Sequence, residues 1–199
     1  MIVPPSIGFS RDFDTCRQLL FQGYSQNWFS SFGRIPSALF SFDVRVRNVI
    51  HLAHKGAWRH VQMTPRLHRW FDIARPHLFD QIQYTAFRPE VWAGRIPKIN
   101  TTRIAQTFAR LFSSASARVE TQTARLSTRH VLYFRKTAYN WLNFCRRHPP
   151  SYDLRGKAIP QTEFGQVYFD HEETLQLAML LANGKLVLLY WLMVPDDSM

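Results

Sequence analysis

The chain has 199 residues, enough to bury a good core as one domain or two small ones. Lysine and arginine number 25 against 14 acidic residues, a formal charge of +11 with a sequence pI near 10.3, which points to a polyanionic partner unless the charge only solvates the surface. The two cysteines, Cys16 and Cys145, sit in no CxxC or Cys/His spacing, and the closest histidine pair is His51-x-x-His54, which argues against a zinc centre or disulfide scaffold and for free thiols in a reducing cytoplasm.

Residues 1–6, MIVPPS, read as the end of a strand, without the basic start or long apolar run of a secretory signal. A helix is expected next. Ser10 is its N-cap, Asp12 and Asp14 lie in its first turn, Phe13, Cys16, Leu19 and Leu20 share one face, and Gly23 stops it. Residues 28–32 are a strand candidate. In residues 34–40 Pro36 blocks ladder pairing and Ser37 favours a turn, so the stretch reads as loop. Residues 44–52 alternate apolar and polar through Arg47 and then turn almost wholly apolar, the pattern of a strand entering a sheet from a wet edge. A loop bearing Arg34, Phe40 and Phe42 ahead of a rigid strand suits a flat, electron-rich or anionic ligand. The alternative is that Leu39, Phe40 and Phe42 cap a core, the commoner use of aromatics.

His54-Lys55-Gly56 signals a turn, with residues 58–62 as a return strand. Thr64-Pro65 has the form of an N-cap and first helical residue, followed by Leu67, Trp70, Phe71 and Ala74 on one face. Pro76 breaks or kinks that helix before Leu78, Phe79 and Ile82. Pro89, Gly94 and Pro97 mark a connection, which places a domain boundary at about Arg88 and divides the chain into 1–88 and 89–199. Asn100 or Thr101 caps a helix whose apolar face is Ile104, Phe108, Leu111 and Phe112, with Arg103 and Arg110 off that face. Residues 113–128 have few large apolar side chains and read as an exposed segment bearing Arg118 and Arg125, either wrapping a ligand or floppy.

Residues 129–141 form a strand candidate whose end mixes aromatics with cations: Arg135, Lys136 and Tyr139 among Tyr133, Phe134 and Trp141. Such a mixture contacts phosphates and stacks on bases. The plain alternative puts Leu132, Phe134 and Trp141 in a core with Arg135 and Lys136 facing water. Charge distribution favours binding. Residues 88–147 carry twelve basic residues against Glu90 and Glu120, a net +10, whereas 148–199 carry three basic and seven acidic, a net −4. Residues 166–169 are a short strand candidate. Asp170, with Glu173 at the N3 position, caps a helix through Leu175, Ala178, Met179 and Ala182 that ends at Asn183-Gly184. Residues 185–194 are apolar, fit helix or strand equally, and are about half the length of a membrane span.

Two runs in order, Trp28-Phe29-Ser30-Ser31-Phe32 and Arg34-Ile35-Pro36-Ser37-Ala38-Leu39-Phe40, match the pattern WxSxF-x-RxPxxLF. This resembles the motif before the seventh strand of adenine-N6 DNA methyltransferases of restriction–modification systems, the TaqI-like class and its fused endonuclease-methylase relatives. MIVPPS is similar to the GxIVPxS that closes the fifth strand in that family. Leu132-Tyr133-Phe134-Arg135, with Tyr139 downstream, is similar to the LYYRxxxxY that opens the target-recognition region of the fused enzymes.

The resemblance implies an α/β fold: the C-terminal part of a Rossmann-like methyltransferase sheet, with residues 28–32 and 44–53 as its terminal antiparallel hairpin, followed by a mixed α+β target-recognition region. It implies that Phe40, or Phe42 as runner-up, stacks on an extruded adenine. The basic candidates for contact with double-stranded DNA are Arg34, Lys98, Arg103, Arg110, Arg118, Arg125, Arg135 and Lys136, joined by Tyr139. The family methylates adenine with S-adenosylmethionine, using a glycine-containing loop and an Asn/Asp-Pro-Pro-Tyr/Phe loop. This sequence contains neither. His148-Pro149-Pro150-Ser151-Tyr152 begins with the wrong residue, inserts a serine and lies in the wrong place. The expected role is therefore the DNA-binding and base-stacking portion of such an enzyme, inactive and cofactor-free alone, partnered by an N-terminal catalytic portion. The alternatives are a self-standing nucleic-acid-binding module, or a structural protein whose charge binds acidic partners.

Overall fold

The structure is a computed structural model and describes residues 1–40, 46–57, 60–116, 119–136, 142–160 and 163–194. Among the described residues the chain forms two compact units, the first built from Met1–Ser114 with Met193 and Val194 and the second from Ala115–Leu192. The division falls after Ser114, not at Arg88 as expected. Its reason is aromatic: Trp92, just past the expected boundary, is buried against Phe108 and Phe112, with ring centroids 5.8 and 5.5 Å away, so this helix belongs to the first unit.

The first unit is a mixed five-stranded sheet. Its strands are β1 (Ile2–Val3), β2 (Gln26–Phe32), β3 (Asn48–His54), β4 (Val61–Thr64) and β5 (Thr85–Phe87), in the order β1-β3-β2-β4-β5. β3 runs antiparallel to both β1 and β2, so it is inserted in reverse between two strands that the helix α1 (Asp14–Gly23) connects in sequence. This is a split β-α-β unit, and the architecture is α/β. The expected antiparallel pairing of residues 28–32 with the later strand is present, with Trp28 opposite Leu52 and Phe32 opposite Asn48. The strand starts at Asn48; Val44 and Arg45, its expected beginning, lie outside the described residues.

β2 is central and its two faces are covered differently. Phe29 packs toward α1 through Phe21, 6.1 Å between centroids, and stacks on His51 at 4.6 Å. Phe32 faces the other way, into a cluster with Trp70 and Leu78 that Leu39, Ile50, Ala74 and Ile82 complete. Alternation along a strand puts these two aromatics on opposite sides.

Several local expectations are corrected. In α1 Leu19 is exposed and Arg17 is the buried residue, because the guanidinium finds acceptors in three neighbouring turns. Ser10 caps a separate 3-10 turn, Arg11–Phe13, and α1 begins afterwards at Asp14. The return strand β4 pairs with β2, in parallel, since both edges of β3 are already taken. No helix follows Thr64-Pro65. Thr64 ends β4, with its hydroxyl within reach of the Phe29 and Pro65 carbonyls. The chain then stays extended, His68 N–H donating to Ser31 O (2.9 Å) and Gly33 N–H to His68 O (2.8 Å). Cross-strand partners outcompete helical ones here, and only a 3-10 turn, Asp72–His77, forms around Pro76. The helix α2 (Thr102–Ser114) is capped as expected by Thr101, whose Oγ1 accepts from Ile104 N–H at 3.3 Å.

The second unit is a three-stranded antiparallel sheet of β6 (His130–Arg135), β7 (Phe144–Cys145) and β8 (Phe164–Phe169), ordered β7-β6-β8. The helix α3 (Glu172–Ala182) covers one face, with Leu132, Phe169 and Leu175 buried together. It starts at Glu172 with His171 at the N-cap, one residue later than the expected Asp170 cap, because Asp170 follows directly on the last residue of β8. The helix α4 (Lys185–Met193) follows, so the apolar run from Lys185 is helical as far as Met193. Among the described residues no single helix is long and apolar enough to cross a membrane.

Candidate nucleic-acid interface

The loop expected to hold a base, residues 33–40, has no regular secondary structure, and the Ile35-Pro36 peptide is cis. It is nonetheless tied at several points. Gly33 N–H donates to His68 O, Ser37 N–H to Trp70 O (3.2 Å), and Leu39 is packed against the Phe32 cluster. Arg75 closes the loop: its Nη1 donates to Leu39 O (3.0 Å) and its Nη2 to Ala38 O (2.9 Å), with Asp72 Oδ1 at 3.0 Å orienting the guanidinium. The next side chain, Phe40, is 40 % exposed. Loop ties and the packed Leu39 thus present one aromatic ring toward solvent in front of a rigid sheet. Phe42, the runner-up, lies outside the described residues.

Along the line where this loop meets residues 68–70, three buried nitrogens have no hydrogen-bond partner among the described residues: Arg34 Nε, His68 Nε2 and Trp70 Nε1. Buried polar groups are normally paired, so such a concentration marks unused polar capacity. Burial, and secondarily Arg66, pushes the His68 imidazole down to about 4, so it is neutral near pH 7. His51, stacked on Phe29, is likewise pushed down to about 4 by burial and then by the N-terminal ammonium, and its Nε2 lies 2.7 Å from Asn27 Oδ1.

The basic candidates divide between the units. In the first, Arg34 and Lys98 are half-buried, while Arg103 and Arg110 are exposed on α2. Seven residues apart on a helix, these two arginines point about 20° apart and away from the buried Phe108. In the second, Arg125, Arg135 and Lys136 are exposed. Arg135 Nη2 pairs with Glu163 Oε2 at 3.1 Å, and Lys136 N–H donates to Glu163 O at 2.7 Å. Arg146 pairs with Glu172, which also holds His130 Nδ1 at 3.1 Å. Acidic residues of the negative C-terminal stretch therefore sit on basic residues of the positive stretch, and the charge separation along the sequence is partly erased by folding. Arg118 and Tyr139 lie outside the described residues.

Two features escaped the sequence. Arg75 falls in a segment whose spacing suggested a helix, so nothing announced it as a support for the Phe40 loop. The second is aromatic. Tyr133, opposite in strand phase to Leu132, meets the exposed His148 ring at 5.2 Å, and His148 meets Phe164 at 5.6 Å. With Arg135 in the same strand phase as Tyr133, the sheet face away from α3 carries rings and a cation together.

Gly8 lies against Ile96 and Gly33 against His68 and Arg69, so a side chain at either position would meet neighbouring protein atoms. No group of three metal-ligating side chains occurs among the described residues. No protein-family model, curated protein or solved structure matches the chain.

Proposed function

We propose that the chain is the DNA-binding and base-stacking portion of a site-specific adenine-N6 DNA methyltransferase of a restriction–modification system. Phe40 receives the extruded adenine, the arginine-bearing surfaces hold the duplex, and an N-terminal catalytic portion supplies S-adenosylmethionine and the Asn-Pro-Pro-Tyr loop. The observation that carries this reading is the exposed Phe40 ring at the end of a pinned loop that precedes, in sequence, a strand inserted antiparallel between β1 and β2. The segment matched to the family's fifth strand, β1, is the neighbour of the segment matched to its seventh, β3, which also supports it. Taking a base out of the stack costs a few kcal/mol, and an aromatic platform returns about 1–3 kcal/mol of that by stacking. Phe40 would favour extrusion in this way without doing chemistry.

The test compares a fully paired duplex with one carrying an unpaired, bulged adenine. The wild-type chain is expected to prefer the bulged duplex, and Phe40→Ala to reduce that preference by about five-fold or more. DNA binding unaffected by salt, or a bulge preference indifferent to Phe40, refutes the reading. Calorimetry with S-adenosylmethionine discriminates further, since saturable binding by this chain alone contradicts its assignment as the cofactor-free portion.

A further inference from the structure

The 3-10 turn Asp72–His77 is an unusual surface. Phe71 just before it is 69 % exposed and Ile73 within it is 91 % exposed, although both are large and apolar. The turn is not loose. Ala74 is packed against the Phe32 cluster, its N–H donates to Phe71 O at 2.8 Å, and Pro76 fixes the backbone within the turn. The same turn supplies Arg75, whose guanidinium holds the carbonyls just before Phe40. Phe71, Ile73 and the Phe40 loop are therefore parts of one braced surface.

Its charge is one-sided. The paired stretches 33–40 and 66–77 carry Arg34, Arg66, Arg69 and Arg75 against Asp72 alone among acidic residues. Apolar tips among arginines fit a polyanion that also offers apolar faces, which is duplex DNA at an opened base step.

We propose that Phe71 and Ile73 form an apolar wedge that enters the base stack beside the step from which the adenine is extruded, while the neighbouring arginines contact the flanking phosphates. This rests on the reading of Phe40 as the platform for that adenine. A wedge fills the space the base leaves and slows its return, a task distinct from stacking on the base itself.

The experiment uses the full chain and three duplexes: fully paired, with an abasic site, and with a bulged adenine. An abasic site leaves the stack open without a base to extrude, so it reads the wedge alone. The wild-type chain is expected to bind it about tenfold more tightly than the paired duplex. The double variant Phe71→Ser, Ile73→Asn should lose that preference while keeping its paired-duplex affinity within about twofold and its salt slope, since phosphate contacts are untouched. Both side chains are exposed, so the thermal midpoint of the variant should stay at the wild-type value. An abasic preference that survives the double substitution overturns the wedge, as does a matching loss on the paired duplex. So does dependence on these two residues for binding phosphatidylserine vesicles in place of DNA. Phe40→Ala separates the two readings: if the bulge preference ignores Phe40 while the abasic preference still needs Phe71 and Ile73, the adenine platform fails and the wedge stands.

Discussion

Replacing Arg17 with Met should destabilise the first unit. The side chain is 1 % exposed, and its guanidinium donates to Gly94 O at 2.8 Å and to Ile7 O and Ser10 O at 2.9 Å each, while pairing with Asp14. One residue thus joins the start of the chain, α1 and the left-handed turn at Gly94, where φ is +74°. Methionine preserves most of the apolar stem but takes the guanidinium donor from the Gly94 and Ile7 carbonyls, each costing about 1–3 kcal/mol where water cannot replace it, while Ser10 O keeps the Phe13 N–H at 3.2 Å. Asp14 is half exposed, so water takes over its charge and adds little. Taking the low end for each of these two carbonyls gives about 2 kcal/mol, a fall in thermal midpoint of about 4–8 °C for a chain of this size. Urea unfolding followed by tryptophan fluorescence measures it. Arg17→Lys should recover only part, because a single ammonium lacks the planar fork that reaches separate acceptors. A loss below about 1 kcal/mol for Arg17→Met would mean the carbonyls find water, and the clamp would be ornamental.

In the second unit, Gly165→Ala should destabilise by about 1–3 kcal/mol, because the new Cβ would crowd the Phe134 ring at its Cζ, and Phe134→Leu should relieve it; an unchanged urea midpoint counts against this packing. His51 and His68 make stability rise with pH. Their rings ionise near 6.5 unfolded but about 4 folded, so the stabilisation is complete above pH 6.5 and is lost as pH falls from there toward 4, with a slope of up to about 1.4 kcal/mol per pH unit for each. His68→Asn should flatten that dependence in urea titrations at pH 5 and 7, and an unchanged difference would place the titration elsewhere. Replacing Arg135 and Lys136 together by Ala should weaken DNA binding and lower the slope of log affinity against log salt by nearly one unit for each phosphate no longer neutralised. Since Arg135 is already paired with Glu163, Glu163→Gln should strengthen binding, and no change in either variant moves the DNA face away from the end of β6.

Strands were legible where side-chain alternation coincided with burial on both sides. Residues 28–32 and the apolar end of 44–53 are the clearest cases, and their pairing followed from the family pattern, not from periodicity. The failures have a common cause: each segment's partner lay far away in sequence. Leu67, Trp70, Phe71 and Ala74 have helical spacing, yet the N–H of His68 goes to Ser31, and alternation then buries Trp70 while turning Phe71 outward. Leu19 and Arg17 exchanged their expected roles because three carbonyls converge on one point that no local pattern reveals. The charge asymmetry was real in sequence but was weakened by folding, which brought Glu163 and Glu172 to Arg135 and Arg146. Phe40 was legible as a candidate through its motif; Arg75, which positions it, was not.

The arrangement around Phe40 is what the proposed platform role would require of a loop with no ladder of its own. A base-stacking ring must resist displacement when a nucleotide presses on it, and flexible loops lose affinity to the entropy of ordering. Here β3 is held on both edges by β1 and β2, so it cannot slide without breaking two ladders. At the other end Phe32 is fully buried, and the 68–70 segment runs beside the loop as an extra strand would. Between these fixed ends, Leu39 and Arg75 constrain the backbone immediately before the exposed ring. Rigidity is thus imported from the sheet and from a turn far along the sequence. Removing the ring should therefore cost binding and little stability, whereas removing Leu39 should cost both.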